Sequence, residues 1–279
     1  MSATSLTWDG RSIPGPGGLP AVAVSLTGPS LAQVRTQARS AIDAGADVLE
    51  LRVDLLEEAG ALAAPAPLDA ATAAAQVLEC LRGLREAIAA DGADAGAPVL
   101  LTCRTAAEGG RAQLDDTAYG SLLRSVLDGL TDWAPERRPA AIDIEVQRGC
   151  LPQVCAQAHA LSIDVVASFH DFEATPQDAV MLGRLRAMAE AGADVVKLAV
   201  MPRSAHDVAR LLGVTARASE ELDVPVVTMS MGALGTVSRV SGAVFGSALT
   251  FATAGGASSA PGQLPIGEVR RCMALLGTP

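Results

Sequence analysis

Lys197 is the only lysine in the chain; the other 20 of its 21 Lys and Arg residues are arginine. It lies inside the apolar, β-branched run Val195-Val196-Lys197-Leu198-Ala199-Val200. An ammonium group stripped of water there is costly unless it is paired or gives up its proton. A neutral amine attacks carbonyl carbon, which an arginine, charged at every accessible pH, does not do. The plainer role is a stem packed inside a sheet with its head paired to Asp194, Glu145 or Glu50. His170 ends another apolar run, Ser168-Phe169-His170-Asp171. Adjacent strands lie about 4.8 Å apart, so one substrate can meet both side chains if these two runs are neighbours. A lysine that condenses with a ketone, a histidine that moves protons and arginines that hold a carboxylate make a consistent set. The chemistry expected is dehydration or aldol cleavage of an oxo-acid, with no metal and no cofactor.

The elements that must position these residues repeat with a regular rhythm. Strand-like runs at 22–26, 47–54, 98–105, 140–146, 164–172, 194–201, 225–231 and 248–253 alternate with helical stretches at 31–44, 70–90, 115–132, 151–160, 176–191, 204–222, 236–241 and 265–276. Eight such units predict an α/β fold, a parallel eight-stranded (β/α)8 TIM barrel forming a single domain over 1–279. Residues 1–20, rich in Gly and Pro, read as a hairpin-like cover. The Ala-rich stretches 59–75 and 89–97 read as surface insertions. An open doubly wound sheet is the competing fold, but no G-x-G-x-x-G follows the first strand.

Barrel active sites are built at the C-terminal ends of the strands. Those ends hold Glu50, Arg52 and Asp54, then Arg104 followed by Glu108-Gly109-Gly110, then Asp143 with Glu145, His170, Lys197, and Met229 with Met231; Arg239 follows in the next loop. With a period of two, Glu50, Arg52 and Asp54 share a face, expected to be the barrel interior.

The formal net charge is −10, which advertises neither nucleic acid nor an anionic membrane as partner. No apolar run reaches the roughly 20 residues of a membrane span. The five cysteines lack CxxC spacing and read as the thiols of a reduced, cytoplasmic protein.

In this order the motifs resemble type I 3-dehydroquinate dehydratases: Glu50-Leu51-Arg52-Val53-Asp54, Thr102-Cys103-Arg104-Thr105, Ser168-Phe169-His170-Asp171-Phe172, Val196-Lys197-Leu198-Ala199-Val200-Met201-Pro202, Met229-Ser230-Met231-Gly232 and Ser258-Ser259-Ala260-Pro261-Gly262-Gln263. The resemblance implies a Schiff-base enzyme of the shikimate pathway, with Lys197 as the Schiff-base residue and His170 as general base and acid. Glu108 would support His170, and Arg239 would hold the carboxylate of 3-dehydroquinate. Glu50, Arg52 and Arg104 would bind ring hydroxyls. Ser259, Ala260 and Gln263 would lie on a closing loop, and Met229, Met231 and Phe245 would form an apolar wall. It also implies a homodimer. The competing activity is a class I Schiff-base aldolase or transaldolase acting on an oxo-acid.

Overall fold

In the computed structural model, which describes residues 5–15, 18–63, 69–90, 97–255 and 258–276, the apolar runs of the sequence become parallel strands. A two-stranded antiparallel hairpin comes first, β1 (Leu6–Trp8) with β2 (Arg11–Ile13). The barrel strands are β3 (Ala21–Leu26), β4 (Val48–Arg52), β5 (Val99–Thr102), β6 (Ala141–Glu145), β7 (Asp164–Asp171), β8 (Val195–Val200), β9 (Val226–Ser230) and β10 (Leu249–Ala252). Their order is β10-β3-β4-β5-β6-β7-β8-β9. The remaining seam is bridged in parallel at Val226 and Ser247, where the N–H of Ala248 donates to the carbonyl of Val226 at 2.8 Å. This is the (β/α)8 barrel that the alternation of elements predicts.

The interior is layered by the two-residue period of the strands. Val48, Leu100, Ala141, Val166, Val195, Val227 and Leu249 belong to a buried apolar cluster that Trp8 and Ile13 of the hairpin complete. Two residues further along each strand stand Glu50, Thr102, Asp143, Ser168, Lys197, Met229 and Phe251. The polar layer therefore rests on an apolar floor, and the hairpin seals that floor from below. The Trp8 indole N–H also donates to Asp164 Oδ2 at 2.8 Å, tying the hairpin to the start of β7.

Helices α1 (Leu31–Asp43), α2 (Ala70–Ala90), α3 (Asp116–Gly129), α4 (Leu151–Ala160), α5 (Asp178–Glu190), α6 (Ala205–Glu221), α7 (Gly232–Ser241) and α8 (Ile266–Leu276) surround the sheet. Their starts follow the sequence: Ser30 caps α1, Asp115 caps α3, and Ser204 with Asp207 forms a capping box on α6. The helices pack on a second apolar cluster made by the outward residues of the strands, such as Leu49, Leu51, Val196 and Leu198.

One sequence expectation needs correction. The strand expected over 47–54 stops at Arg52, and Asp54 stands in a 3-10 turn, Val53–Leu55, with its carboxylate folded back on Arg52. Within the stretch 59–75, Ala59 and Leu62 are buried in the turn Glu57–Leu62 and Ala73 and Ala74 in the first turns of α2, while Gly60, Ala63, Ala71 and Thr72 are exposed. Alanine is the strongest helix former, and its small side chain lets the helix pack close. Ala97 is buried too. Residues 64–68 and 91–96 lie outside the described residues.

Candidate active site

A cavity opens at the C-terminal end of the barrel, lined by Glu50, Arg52, Arg104, Glu108, His170, Lys197, Met229, Met231, Ser259, Ala260 and Gln263 together with Gly109, Phe172, Ala199 and Phe251. Lys197 is 4% exposed. Its Nζ lies 3.2 Å from Asp143 Oδ2, 3.8 Å from Glu50 Oε1 and 4.6 Å from the centre of the Phe251 ring. Of the three partners expected from sequence only Glu50 is near. Asp194 instead accepts from the backbone of Val165 and lies 2.8 Å from His159 Nε2. Glu145 serves Thr105, Arg104 and Arg148. Asp143 replaces them because its place on β6, two residues above Ala141, puts it in the same interior layer as Lys197.

His170 stands on β7, beside β8, with Ser168 in register with Lys197 and His170 with Ala199. Glu108 lies behind it in a 3-10 turn, Ala106–Glu108, after β5. One oxygen, Oε2, accepts the His170 backbone N–H at 3.1 Å and lies 2.9 Å from Nδ1. That contact leaves Nε2 as the ring atom free to act on a substrate. Burial, reinforced by Arg104, Lys197 and Arg52, holds the imidazole well below its ordinary value, so it is a neutral base at physiological pH. Burial also raises the Glu108 carboxyl to about 8, against the opposing pull of Arg104 and with the push of Glu145 and Asp143. The other oxygen of Glu108 is buried with no hydrogen-bond partner.

Arg104 is the hub of the buried charges. Its guanidinium lies 2.7 Å from Asp143, 3.1 Å from Glu145 and 3.5 Å from Glu108. Burial works against its charge, but these three carboxylates outweigh burial and hold it above its ordinary value. Burial alone would raise the Asp143 carboxyl, yet Arg104, Lys197 and the hydrogen bond from Ser168 hold it below the usual range. Asp143 is thus an anion fixed between two cations, one of them the lysine.

The loop after β10 closes on this layer through a chain of hydroxyls. Gln263 Nε2 donates to Ser259 Oγ at 2.9 Å, and Ser259 Oγ donates to Ser25 Oγ at 2.8 Å. Ser25 in turn donates to Glu50, whose other oxygen accepts from Thr102 at 3.0 Å. Ser258 bonds Gln263 instead, so Ser259 is the serine directed into the barrel. Arg239 on α7 is 2% exposed and donates to the carbonyl of Pro261 at 3.0 Å; its Nη1 is 3.7 Å from Met229 Sδ. Its Nε is buried with no partner, no carboxylate pairs with it among the described residues, and burial lowers its guanidinium to about 10. A cation so placed is suited to an anionic ligand group.

Phe245 does not line the cavity. It ends the turn Gly242–Phe245 that precedes β10, at the opposite end of the barrel, where its carbonyl accepts from Ser219 on α6. The aromatic wall is Phe251, on β10, and Phe172, which sequence reasoning passed over. Phe172 covers Gly109, whose φ of +83° and lack of a side chain permit the contact; a Cβ there would stand 2.4 Å from the ring. Ser25 was also passed over, although a polar residue near the end of the run Val22-Ala23-Val24-Ser25 carried the signal.

An amine held by carboxylates, a neutral imidazole on the next strand and arginines in the same barrel mouth define a (β/α)8-barrel enzyme for proton transfer on an anionic carbonyl compound. Comparison with known proteins narrows this class. Residues 22–278 match the family model of type I 3-dehydroquinase, and the chain belongs to that family. Its activity is the dehydration of 3-dehydroquinate in the shikimate pathway, a carbon–oxygen lyase reaction; the aldolase alternative is not favoured. The chain is 39% identical over 259 residues to the 3-dehydroquinate dehydratase of Klebsiella pneumoniae, covering 91% of this chain and 92% of that one. It is 39% identical over 254 residues to the enzyme of Lactiplantibacillus plantarum, covering 90% of each. Among solved structures, the dehydratase of Geobacillus kaustophilus superposes with a TM-score of 0.83 at 31% identity, covering 99% of this chain and 97% of that chain. The type I enzyme of Clostridium difficile, solved with covalently modified comenic acid, gives 0.82 at 30% identity, covering 99% and 98%.

Proposed function

We propose that the dehydration runs through a Schiff base on Lys197. The amine adds to the C3 ketone of 3-dehydroquinate and water leaves, giving an iminium that draws electrons from the adjacent carbon. Nε2 of His170 removes the C2 proton, and the electron pair passes into the iminium as an enamine. The pair returns to form the C1–C2 double bond as the C1 hydroxyl departs with the proton from His170. Hydrolysis of the iminium frees 3-dehydroshikimate and restores the amine, so one water is lost overall. The observation that carries this reading is the position of Lys197 Nζ, 3.2 Å from Asp143 in the cavity that His170 also lines. Asp143 and Glu50 steady the amine.

The other residues take the parts that the family resemblance implies for them. Arg239, without a carboxylate of its own, binds the carboxylate of the substrate. Glu50, Arg52 and Arg104 meet the ring hydroxyls, and Ser259, Ala260 and Gln263 cover them from the loop. Met229 and Met231 form an apolar wall, and Glu108 orients His170. We place this single barrel domain in a cytoplasmic homodimer, a reading supported by the family and by five unpaired cysteines.

The test is reduction with borohydride in the presence of 3-dehydroquinate, followed by intact mass and peptide mapping. One adduct on the Lys197 peptide, absent from Lys197→Ala, is expected. An active enzyme that gives no adduct would overturn the covalent route.

A further inference from the structure

One carboxylate beside the site has no part in the chemistry above, yet it grips two of the elements that perform it. The Asp54 side chain is 0% exposed. Each of its oxygens accepts two hydrogen bonds. Oδ1 accepts from Arg52 Nε at 2.8 Å and from the backbone N–H of Arg104 at 3.2 Å. Oδ2 accepts from Arg52 Nη2 at 2.8 Å and from the backbone N–H of Arg111 at 3.1 Å.

Arg104 and Arg111 stand at the two ends of a loop that folds back on itself. Thr105 pairs with Ala112 as a bridge, the N–H of Ala106 donates to the carbonyl of Ala112 at 2.9 Å, and the N–H of Gly110 donates to that of Thr105 at 2.8 Å. The limbs are in contact: a Cβ at Gly110 would stand 2.0 Å from the carbonyl oxygen of Arg104. This loop carries Glu108. The carboxylate that clamps its two ends also holds Arg52 in a two-pronged grip, which fixes the plane of the guanidinium as well as its place.

We propose that Asp54 is a positioning residue for the dehydration. It sets the spacing between Arg52 at the end of β4 and the loop that holds Glu108 against His170, so that the cation facing the substrate and the proton-moving pair stay in register. This rests on the roles given above to Arg52, Glu108 and His170. Asparagine at 54 has one acceptor and one NH2 group. The NH2 faces an Arg52 N–H and a backbone N–H, so donor meets donor and one side of the clamp opens. Glutamate keeps the charge but pushes the loop away by one methylene.

The experiment compares wild type, Asp54→Asn and Asp54→Glu, with thermal unfolding to establish folding and borohydride trapping to count competent sites. Steady-state rates per competent site are then measured on 3-dehydroquinate from pH 5 to 9. Both variants are expected to lose about 10- to 100-fold in kcat/KM, a cost typical of small misplacements in a site. KM rises through Arg52, and the limb of the kcat profile that reports the Glu108–His170 pair is displaced. In an Arg52→Ala background, Asp54→Asn should raise KM little further but still displace that limb. A purely structural Asp54 predicts fewer competent sites with unchanged KM, kcat and profile in those that remain, and that result overturns the proposal. An unchanged profile in the Arg52→Ala background overturns it as well. Turnover and trapping by wild type show separately whether the underlying functional reading holds; should Asp54→Asn not fold, the Asp54→Glu profile decides.

Discussion

Replacing Glu108 by glutamine should leave a signature in stability against pH. The carboxyl moves from an ordinary 4.5 to about 8 in the folded protein. Between those values the folded state holds more of this proton than the unfolded chain, so unfolding releases it, and the contribution of Glu108 to stability falls as pH rises. The contribution is complete below about pH 4.5 and lost once pH has passed about 8. At 1.36 kcal/mol for each pH unit, and allowing for relaxation of the loop, the swing is on the order of 2–5 kcal/mol. Glutamine does not titrate. Its NH2 would occupy the position of the oxygen that has no partner, which costs about 1–3 kcal/mol at every pH. Wild type should therefore be the more stable protein at pH 5, and its advantage should shrink or reverse by pH 9. The assay is thermal or urea unfolding of both proteins across that range. In a chain of this size the gap in Tm should change by roughly 3–9 °C. Two curves that stay parallel from pH 5 to 9 would show that Glu108 is ionised throughout and that burial does not govern it.

The remaining predictions concern turnover. His170→Asn should lower kcat by about 10²–10⁴-fold, the usual worth of a general acid–base, while the borohydride adduct on Lys197 still forms; loss of the adduct together with kcat would refute separate roles. Arg239→Met keeps much of the stem against Met229 but removes the cation, and KM for 3-dehydroquinate should rise about 10- to 100-fold. An unchanged KM, measured by the absorbance of the conjugated product, would place the substrate carboxylate elsewhere.

The architecture was legible in the sequence because a barrel repeats one local pattern eight times. Each apolar run, Gly turn and helix cap carries its own signal, and charges at strand ends stand out against Val and Leu. Which of those charges meet was not legible. Asp194 and Asp143 look equally available to Lys197 along the chain, but strand pairing turns the first towards His159 and stacks the second into the same layer as the lysine. Phe245 and Phe251 differ in a way only the ends of β10 reveal, one preceding the strand and the other inside it. The end of β4 was misjudged for a related reason: alternation of charges continues to Asp54, whereas the backbone turns after Arg52. Long-range register and the place where a strand stops are tertiary facts, and neither has a local signature.

The solitary lysine has a consequence for how the protein meets reactive molecules. Every Lys or Arg residue of the chain but Lys197 is an arginine, and that sole side-chain amine lies in the cavity, 4% exposed. Acylating reagents, reducing sugars and amine-directed cross-linkers find no lysine to decorate on the outside. Whatever attaches to a lysine here has first entered the barrel mouth, so labelling of that amine and loss of turnover are one event, and substrate in the cavity protects against both.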